Sequence, residues 1–404
     1  MADLRPFRAY RPRPDRAEKV ASPPYDVVNT KEASALAEGN PFSFLHVTRP
    51  EIDLPEGTDE HAAVVYEQAR TNLEALISDG VLVPDPDPRI YIYAQKMGSH
   101  RQMGVVACAS VREYDAGLIK KHENTRADKE DDRTKHIDVL AAHDEPVFLT
   151  YKAVPAIDKL VADATRAIPL YDFETKDGVQ HQLWVLDREQ SLAIATAFSP
   201  VPALYVADGH HRSAAASRVH KERKGDGGEH DAFLAVVFPD DQMQIMAYNR
   251  VVRDLQGRSP EELLELFRAR FDVEPAKKPA PDEQPTFGLY HGGKWWWVRT
   301  RPGTFDASDP VASLDCSICQ DQILGPLFAV QDPRRDKHVD FVGGIRGHEE
   351  LERRVDSGEM TLALHLYPTQ MRELIAVSDA GRLMPPKSTW FEPKLRSGLF
   401  VHAF

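Results

Sequence analysis

The chain has 404 residues, of which 42% are hydrophobic and 28% charged, and its formal net charge is −13 at pH 7. This length exceeds what one hydrophobic core usually serves, so we expect two or three domains of a globular protein. The negative charge argues against a protein that binds nucleic acid or a membrane surface without regard to sequence.

The cysteine content and the lack of targeting features predict a cytoplasmic protein. Three cysteines are too few for a disulfide framework. The first residues lack the apolar segment of a signal peptide, and no apolar run reaches the about 18 residues of a membrane span. Cys316 and Cys319 form an isolated CxxC within an apolar helical pattern, which favours buried thiols over a zinc or redox site.

The N-terminal part begins with a proline-rich segment. Residues 22–28 read as rigid and extended. Such a segment can simply cover a core, or it can hold Tyr25 and Asp26 in fixed positions at a cleft, and both readings stay open. Next, the apolar spacing between Thr58 and Asp79 predicts a helix, with Thr58 as its N-terminal cap.

A hairpin leads into the central part, with strands predicted at 89–95 and 103–111. The following stretch, 117–126, places Glu123 and Thr125 close to an apolar start, and Arg133 lies in the charged continuation. A solvated helix gives a similar charge pattern. Glu123, between His122 and Thr125, is nevertheless a good candidate for a general base or a metal-bound carboxylate.

The most informative stretch runs from Tyr205 to Arg212. An apolar strand precedes it and an alanine-rich helix follows, so a strand, a tight turn and a helix are predicted. Asp208 is expected to cap the helix, and Gly209 to permit the turn. His210, His211 and Arg212 then cluster at the helix N-terminus, where anions are favoured. The alternative is a capped surface helix with incidental basic residues.

The C-terminal part contains further local signals. Ser259 opens a capping box with proline at the first helical position. Two strands flank a His-Gly-Gly turn near residue 292. The last segment, 383–398, is rigid, basic and hydroxyl-bearing, so Lys387, Ser388 and Lys394 could contact phosphate oxygens. A packed C-terminal arm explains the same segment equally well.

Several of these stretches together resemble the domain of unknown function 1015 (DUF1015) family of bacterial and archaeal proteins. The residues that carry the resemblance are Pro23-Pro24-Tyr25-Asp26, Asn40-Pro41-Phe42, Lys121-His122-Glu123 with Thr125, Asp132-Arg133, Asp208-Gly209-His210-His211-Arg212 and Met384-Pro385-Pro386-Lys387-Ser388-Thr389. The family name does not indicate an activity.

The Asp-Gly-His-His-Arg run is also similar to the nucleotide-site motif of free serine kinases in the ParB/sulfiredoxin superfamily. That second resemblance implies a helix N-terminus that holds nucleotide phosphates. Family members are often encoded beside serine-biosynthesis genes, which implies L-serine as substrate.

The fold class that we expect is α+β, with mixed sheets flanked by helices and a ParB/sulfiredoxin-like central region. We predict an N-terminal α/β part over 1–88, a central catalytic region over 89–256 that carries both motifs, and a C-terminal α+β part over 257–404. No Walker-type phosphate loop occurs in the sequence, so a P-loop kinase is not expected.

The predicted function is phosphoryl transfer from a nucleotide, ATP or ADP, to a small hydroxylated metabolite, as in a free serine kinase. Such chemistry is mostly positioning and charge neutralisation. Glu123 would accept the hydroxyl proton, and His210 or His211 would bind or protonate a phosphate oxygen. Phosphate or substrate contacts are expected from Asp26, Thr125, Arg133, Asp208, Gly209, Arg212, Lys387, Ser388 and Lys394.

Mg²⁺ is expected with the nucleotide, and Asp208 or Glu123 could reach it. The predicted partners are a nucleotide and a small molecule, without nucleic acid or membrane, and a homodimer is compatible with the sequence. Two other functions stay open at this point. One is a metal-dependent phosphatase or phosphodiesterase, and the other is a nucleotide or metabolite sensor without catalytic activity.

Overall fold

The computed structural model describes residues 2–223, 228–254 and 257–404, and the chain divides into two units. The first unit comprises Met1–Lys121, Thr125–Met243 and Pro393–Phe404, and the second comprises His122–Asn124 and Gln244–Glu392. Gln256, the predicted end of the central region, lies outside the described residues. The three-part division therefore stays a prediction.

The first unit is organised by a nine-stranded mixed sheet. The strands of this unit are β1 Leu4–Arg5, β2 Tyr10–Pro12, β3 Leu82–Pro84, β4 Tyr91–Met97, β5 His100–Ser110, β6 Ile119–Lys120, β7 Ala142–His143, β8 Val147–Tyr151, β9 Tyr171–Glu174, β10 Val179–Val185, β11 Leu204–Asp208 and β12 Ala232–Pro239, followed by His402–Ala403. Strands β2 and β3 form a separate pair, as do β7 and His402–Ala403. The main sheet has the order β6-β11-β8-β12-β5-β4-β10-β9, and β1 pairs with β5. Every residue of β12 is buried, because a central strand covered on both faces reads as a continuous apolar run.

The first unit also contains helices. They are α1 Ala17–Val20, α2 Thr30–Ala37, α3 Leu45–Thr48, α4 Ala63–Ser78, α5 Val111–Asp115, α6 Ala127–Leu140, α7 Pro155–Ala164, α8 Arg188–Phe198 and α9 His210–Glu222. Ile157 of α7 and Phe198 of α8 join the core formed by the strands. Ala215 and Val219 of α9 pack with Ile137 of α6, so the small side chains of α9 allow α6 to approach closely.

The second unit contains a six-stranded antiparallel sheet in the order β15-β17-β16-β19-β14-β18. Its strands are β13 Gln244–Met246, β14 Tyr248–Val252, β15 Phe271–Pro275, β16 Thr286–His291, β17 Lys294–Thr300, β18 Val339–Gly343, β19 Leu362–His365 and β20 Trp390–Glu392. Its helices are α10 Pro260–Arg270, α11 Asp315–Ile318, α12 Gly325–Phe328, α13 Gly347–Asp356 and α14 Met371–Asp379, with a π-helical turn at Cys319–Leu324. Strands β13 and β20 form a separate pair.

The mixed α and β architecture, with helices and several sheets, was expected, whereas the ParB/sulfiredoxin-like region stays a prediction. The hairpin of β4 and β5 is confirmed. The capping box at Ser259 is present as well, at the start of α10. The cap assigned to Thr58 is wrong, because its hydroxyl donates to the Pro55 carbonyl at 2.6 Å and the helix begins only at Ala63.

The buried state of the CxxC thiols is also confirmed, since Cys316 and Cys319 are both buried. Burial raises the pKa of Cys316 and raises that of Cys319 to about 12, against the opposing charge of Arg250. Neither thiol is therefore a thiolate at neutral pH. Within the described part of the chain, no helix combines the length and the apolarity that crossing a membrane requires.

Candidate functional site

The turn between β11 and α9 forms as the sequence predicts. Strand β11 ends at Asp208, helix α9 begins at His210, and Gly209 joins them with φ +96°. A Cβ atom at Gly209 would lie 3.1 Å from Nε of Arg212. Two independent reasons therefore favour glycine at this position: the left-handed backbone conformation, and the guanidinium of Arg212 that lies against it.

Asp208 does not cap α9, which corrects the sequence-based assignment. It still belongs to β11, where it pairs with Phe148 of β8, so Gly209 takes the N-cap position and no side chain caps the helix. The carboxylate of Asp208 instead accepts from the Gly209 N–H at 2.8 Å and lies 3.2 Å from Nζ of Lys394. Desolvation opposes its ionisation, but the charges of Lys394 and Arg212 prevail and lower the pKa of Asp208.

Arg212 is a buried cation at the start of α9, 6% exposed. Its Nη1 donates to the Pro146 carbonyl, and its Nη2 lies 3.8 Å from Oδ1 of Asp208. Burial alone would lower the pKa of Arg212, but the negative charges of Asp26, Asp208 and Glu145 outweigh this effect. The pKa therefore lies above its ordinary value, and the guanidinium stays charged. Asp26, which is exposed, therefore lies within electrostatic reach of Arg212.

A second buried cation, Arg133 of α6, lies in the same unit. Its guanidinium is 4.0 Å from the centre of the Tyr25 ring, and its Nη1 is 3.9 Å from Oε2 of Glu145. Glu145 also accepts from the backbone N–H of Tyr25 at 3.0 Å and from the Ser397 hydroxyl at 2.8 Å. Glu145, in the link between β7 and β8, thereby connects the Pro23-Pro24-Tyr25-Asp26 segment to Ser397 of the C-terminal arm.

Glu145 is a functional candidate that the sequence reasoning missed. Burial, followed by the charge of Asp144, raises its pKa, and Arg212 and Arg133 oppose that rise. The sequence did contain a local signal, because only Pro146 separates the two acidic residues Asp144 and Glu145 from the fully buried strand β8. A charged pair at the entry of such a strand needs buried partners.

The two histidines of the motif differ in their surroundings. His210 is buried at the first position of α9, whereas His211 is half-buried. Nε2 of His211 accepts from the Arg126 backbone N–H at 3.1 Å. Desolvation lowers the pKa of His211 despite the opposing charges of Asp26 and Glu130. His211 is therefore neutral at pH 7. One residue before Arg126, the Thr125 hydroxyl donates to Glu130.

The remaining predicted site residues belong to the second unit. Glu123 is half-buried, and its charge contributes to raising the pKa of Arg334 after that of Asp332. Lys387 is exposed and has φ +59°, with its Nζ 5.5 Å from the centre of the Tyr248 ring. Ser388 is buried, and its hydroxyl donates to the Pro385 carbonyl at 2.5 Å.

A cavity of about 350 Å³ lies within the second unit. Its lining includes Arg250, Cys316, Gln320, Arg334 and Pro386. Arg250 is 3% exposed, and its guanidinium donates to the backbone carbonyls of Tyr248 and Lys387. Among the residues that the structure describes, no carboxylate forms an ion pair with Arg250. The cavity therefore has a buried positive charge in its wall.

The structure assigns the predicted residues to the two units as follows: Asp26, Thr125, Arg133, Asp208, Gly209, His210, His211, Arg212 and Lys394 to the first, and Glu123, Lys387 and Ser388 to the second. Within the first unit, Asp26, Asp208, Arg212 and Lys394 form one electrostatic cluster. A single site shared with Glu123 stays a prediction, as does the catalytic or binding role of each residue.

Comparison with known proteins gives one family and several distant structures. The model of a family described as a protein of unknown function (DUF1015) matches residues 4–317. No curated protein matches the chain.

The solved structures that resemble this chain include free serine kinase in complex with AMP, at 13% identity and a TM-score of 0.36, with 74% of this chain and 91% of that chain covered. SbnI with C-terminal truncation from Staphylococcus aureus matches at 12% identity and a TM-score of 0.38, with 74% and 87% covered. A conserved hypothetical protein from Pyrococcus furiosus matches at 13% and 0.35, with 74% and 94% covered. Likeness at this level assigns neither the fold nor the activity of those proteins to this chain.

Proposed function

The chain belongs to the DUF1015 family of proteins of unknown function, and we propose that it is a nucleotide-dependent phosphotransferase. The acceptor in this proposal is a small hydroxylated metabolite, L-serine before others. The observation that carries it is the turn Asp208–Arg212, where Arg212 and Lys394 place two positive charges beside an uncapped helix N-terminus. Phosphoryl transfer depends mainly on positioning and charge neutralisation, and these features supply both.

Nucleotide phosphates would bind at the start of α9. The first turn of an α-helix leaves N–H groups without an intrahelical partner, and the helix dipole adds to the attraction for an anion. Lys394 can contact a phosphate oxygen while it remains near Asp208, because an ammonium group has three donors. The buried guanidinium of Arg212 lies against Gly209 and is held there by its hydrogen bond to the Pro146 carbonyl, so it adds positive charge to the turn.

Magnesium fits the donor set of this cluster. The lowered pKa keeps Asp208 ionised at neutral pH, and a carboxylate oxygen is a ligand that Mg²⁺ accepts beside phosphate oxygens and water. When bound, the ion would neutralise phosphate charge. Asp208 would hold it, with Asp26 as the second carboxylate available near Arg212.

The second unit, considered by itself, offers a pocket for a small carboxylate. A cavity of about 350 Å³ falls within the size range of small-molecule sites. A buried charge without a counter-ion is costly, and the carboxylate of an amino acid would compensate that of Arg250. L-Serine carries this carboxylate together with the hydroxyl that the reaction needs. Glu123, whose charge acts on Arg334 of the same cavity wall, is our proposed general base.

Mass spectrometry of reaction mixtures tests this function. The purified chain is incubated with Mg²⁺ and either ATP or ADP, together with L-serine or with serinol, which lacks the carboxylate. We expect a phosphorylated product and nucleotide consumption with L-serine, and at least about tenfold less product with serinol because the charged contact to Arg250 is lost.

Two variants of aspartate in the first unit provide the matched comparison. Asp208→Asn should lose nucleotide turnover, whereas Asp172→Asn, in an exposed position of β9, should retain it. Tight nucleotide binding without any product would favour a sensor. Hydrolysis of phosphoserine without nucleotide would favour a phosphatase. Either result would contradict the kinase proposal.

A further inference from the structure

A group of histidines lies at the opposite end of α9 from the proposed phosphate site. His220 is in the last turn of that helix, ten residues after His210, which corresponds to about 15 Å along the helix axis. His230 and Asp231 belong to the short 3-10 helix that precedes β12. These three residues take no part in the function proposed above.

The three side chains converge closely. Nδ1 of His220 lies 3.1 Å from Oδ1 of Asp231, and the rings of His220 and His230 are 5.7 Å apart. One potential ligand atom from each of the three residues lies within 4.8 Å of the others. Donors bound to one tetrahedral Zn²⁺ at 2.0–2.1 Å are separated by about 3.3–3.4 Å, so only small side-chain rotations would bring all three onto one ion.

Local packing favours a defined position for the His230 ring. A Cβ atom at Gly228 would lie 2.4 Å from Cε1 of His230, so the ring occupies space that only a glycine leaves. On another side, the centre of the Phe404 ring is 6.0 Å away. The ring is thus held between the backbone and an aromatic side chain, and the site is half-buried rather than fully exposed.

We propose that His220, His230 and Asp231 bind one divalent transition-metal ion of the zinc class. Two imidazoles and one carboxylate are ligands that Zn²⁺ accepts, with water in the fourth position. The ion would fasten the C-terminal turn of α9 to the 3-10 helix before β12. The ion takes no part in the proposed phosphoryl transfer, since the phosphate site lies at the other end of the helix.

Metal binding to the full-length chain tests this site in the absence of nucleotide. After removal of metal by a chelator, Co²⁺ is added, and the visible absorption that is typical of tetrahedral cobalt is recorded. Bound Zn²⁺ per chain is then measured by elemental analysis. We expect the cobalt spectrum, its loss on addition of Zn²⁺, and one more Zn²⁺ per chain than in the variants His230→Gln and Asp231→Asn.

The variants should bind Zn²⁺ more weakly by over 100-fold, since loss of an outer-shell partner alone costs about 10–100-fold. His348→Ala, which changes a partly exposed histidine of the second unit, is the control and should bind metal as the parent does. Circular dichroism verifies that each variant is folded. A parent chain without the tetrahedral cobalt spectrum, or folded variants with undiminished zinc content, would overturn the proposal.

Discussion

The ion pair between Lys394 and Asp208 is the interaction whose removal tests the site most directly. We consider Lys394→Met, which keeps the length of the stem and removes the charge, and Asp208→Asn, which keeps the shape. Nζ of Lys394 is 3.2 Å from Oδ2 of Asp208, and their side chains are 16% and 26% exposed. A charge-assisted hydrogen bond of this kind contributes about 1.5–3 kcal/mol.

Two features of the structure reduce the coupling between the residues. Solvent reaches both side chains and screens the pair, and Arg212 leaves a second cation 3.8 Å from Asp208 when Lys394 is removed. We therefore expect a coupling free energy of about 1–2 kcal/mol from a double-mutant cycle. Unfolding in urea, with the parent, both single variants and the double variant, measures it. The exposed pair of Lys159 and Asp163 at 3.6 Å is the control and should show coupling close to zero.

The pH dependence has a definite sign. The pKa of Asp208 is lowered in the folded chain, so the stabilisation from this group is complete above the ordinary pKa of about 3.9 and is lost as the pH falls below it. The coupling should therefore be the same at pH 7 and pH 5.5. A coupling that disappears over this interval, or that does not exceed the control, would refute the assignment of Lys394 as the principal partner of Asp208.

Three further predictions concern the turn, the base and the thiols. Gly209→Ala should lower the free energy of unfolding in urea by more than about 1 kcal/mol, because φ is +96° and the new Cβ would crowd Arg212. Gly178→Ala, which has open space around the new Cβ, is the control and should lower it by less. Equal losses in the two variants would argue against the crowding. Glu123→Gln should lower turnover by about 10²–10⁴-fold while calorimetry finds nucleotide binding intact, and full turnover would exclude this base. All three cysteines are buried with raised pKa values, so a thiol reagent should modify none in the native chain and all three after unfolding; rapid labelling of the native chain would contradict this.

Short-range signals predicted much of the local structure. The turn at Gly209, the β4–β5 hairpin and the Ser259 capping box depend on residues that are neighbours in the chain, and local backbone preferences determine such features. The same reasoning failed for the cap of α4, because Thr58 bonds backwards to Pro55. Hydroxyl side chains have several backbone groups within reach, and the sequence does not indicate which one is used.

The residue types of the candidate site were also visible in the sequence, since the family motifs name most of them. The sequence alone predicts Asp26, Asp208, Arg212 and Lys394 as site residues. What remained open was the partner of each charge. Asp208 was assigned to the helix that follows it, although its carboxylate lies beside Lys394, 186 positions further along the chain.

Only the tertiary structure decided which charged residues are buried together. Arg133 belongs to a helix whose sequence is compatible with a solvated surface, yet it packs on Tyr25 and lies near Glu145. A buried charge is tolerated only where opposite charges and hydrogen bonds surround it, and here these come from the N-terminal segment, the start of β8 and the C-terminal arm. Sequence periodicity identifies apolar faces, but the assembly of ionic partners from distant segments depends on the pairing of the strands that carry them.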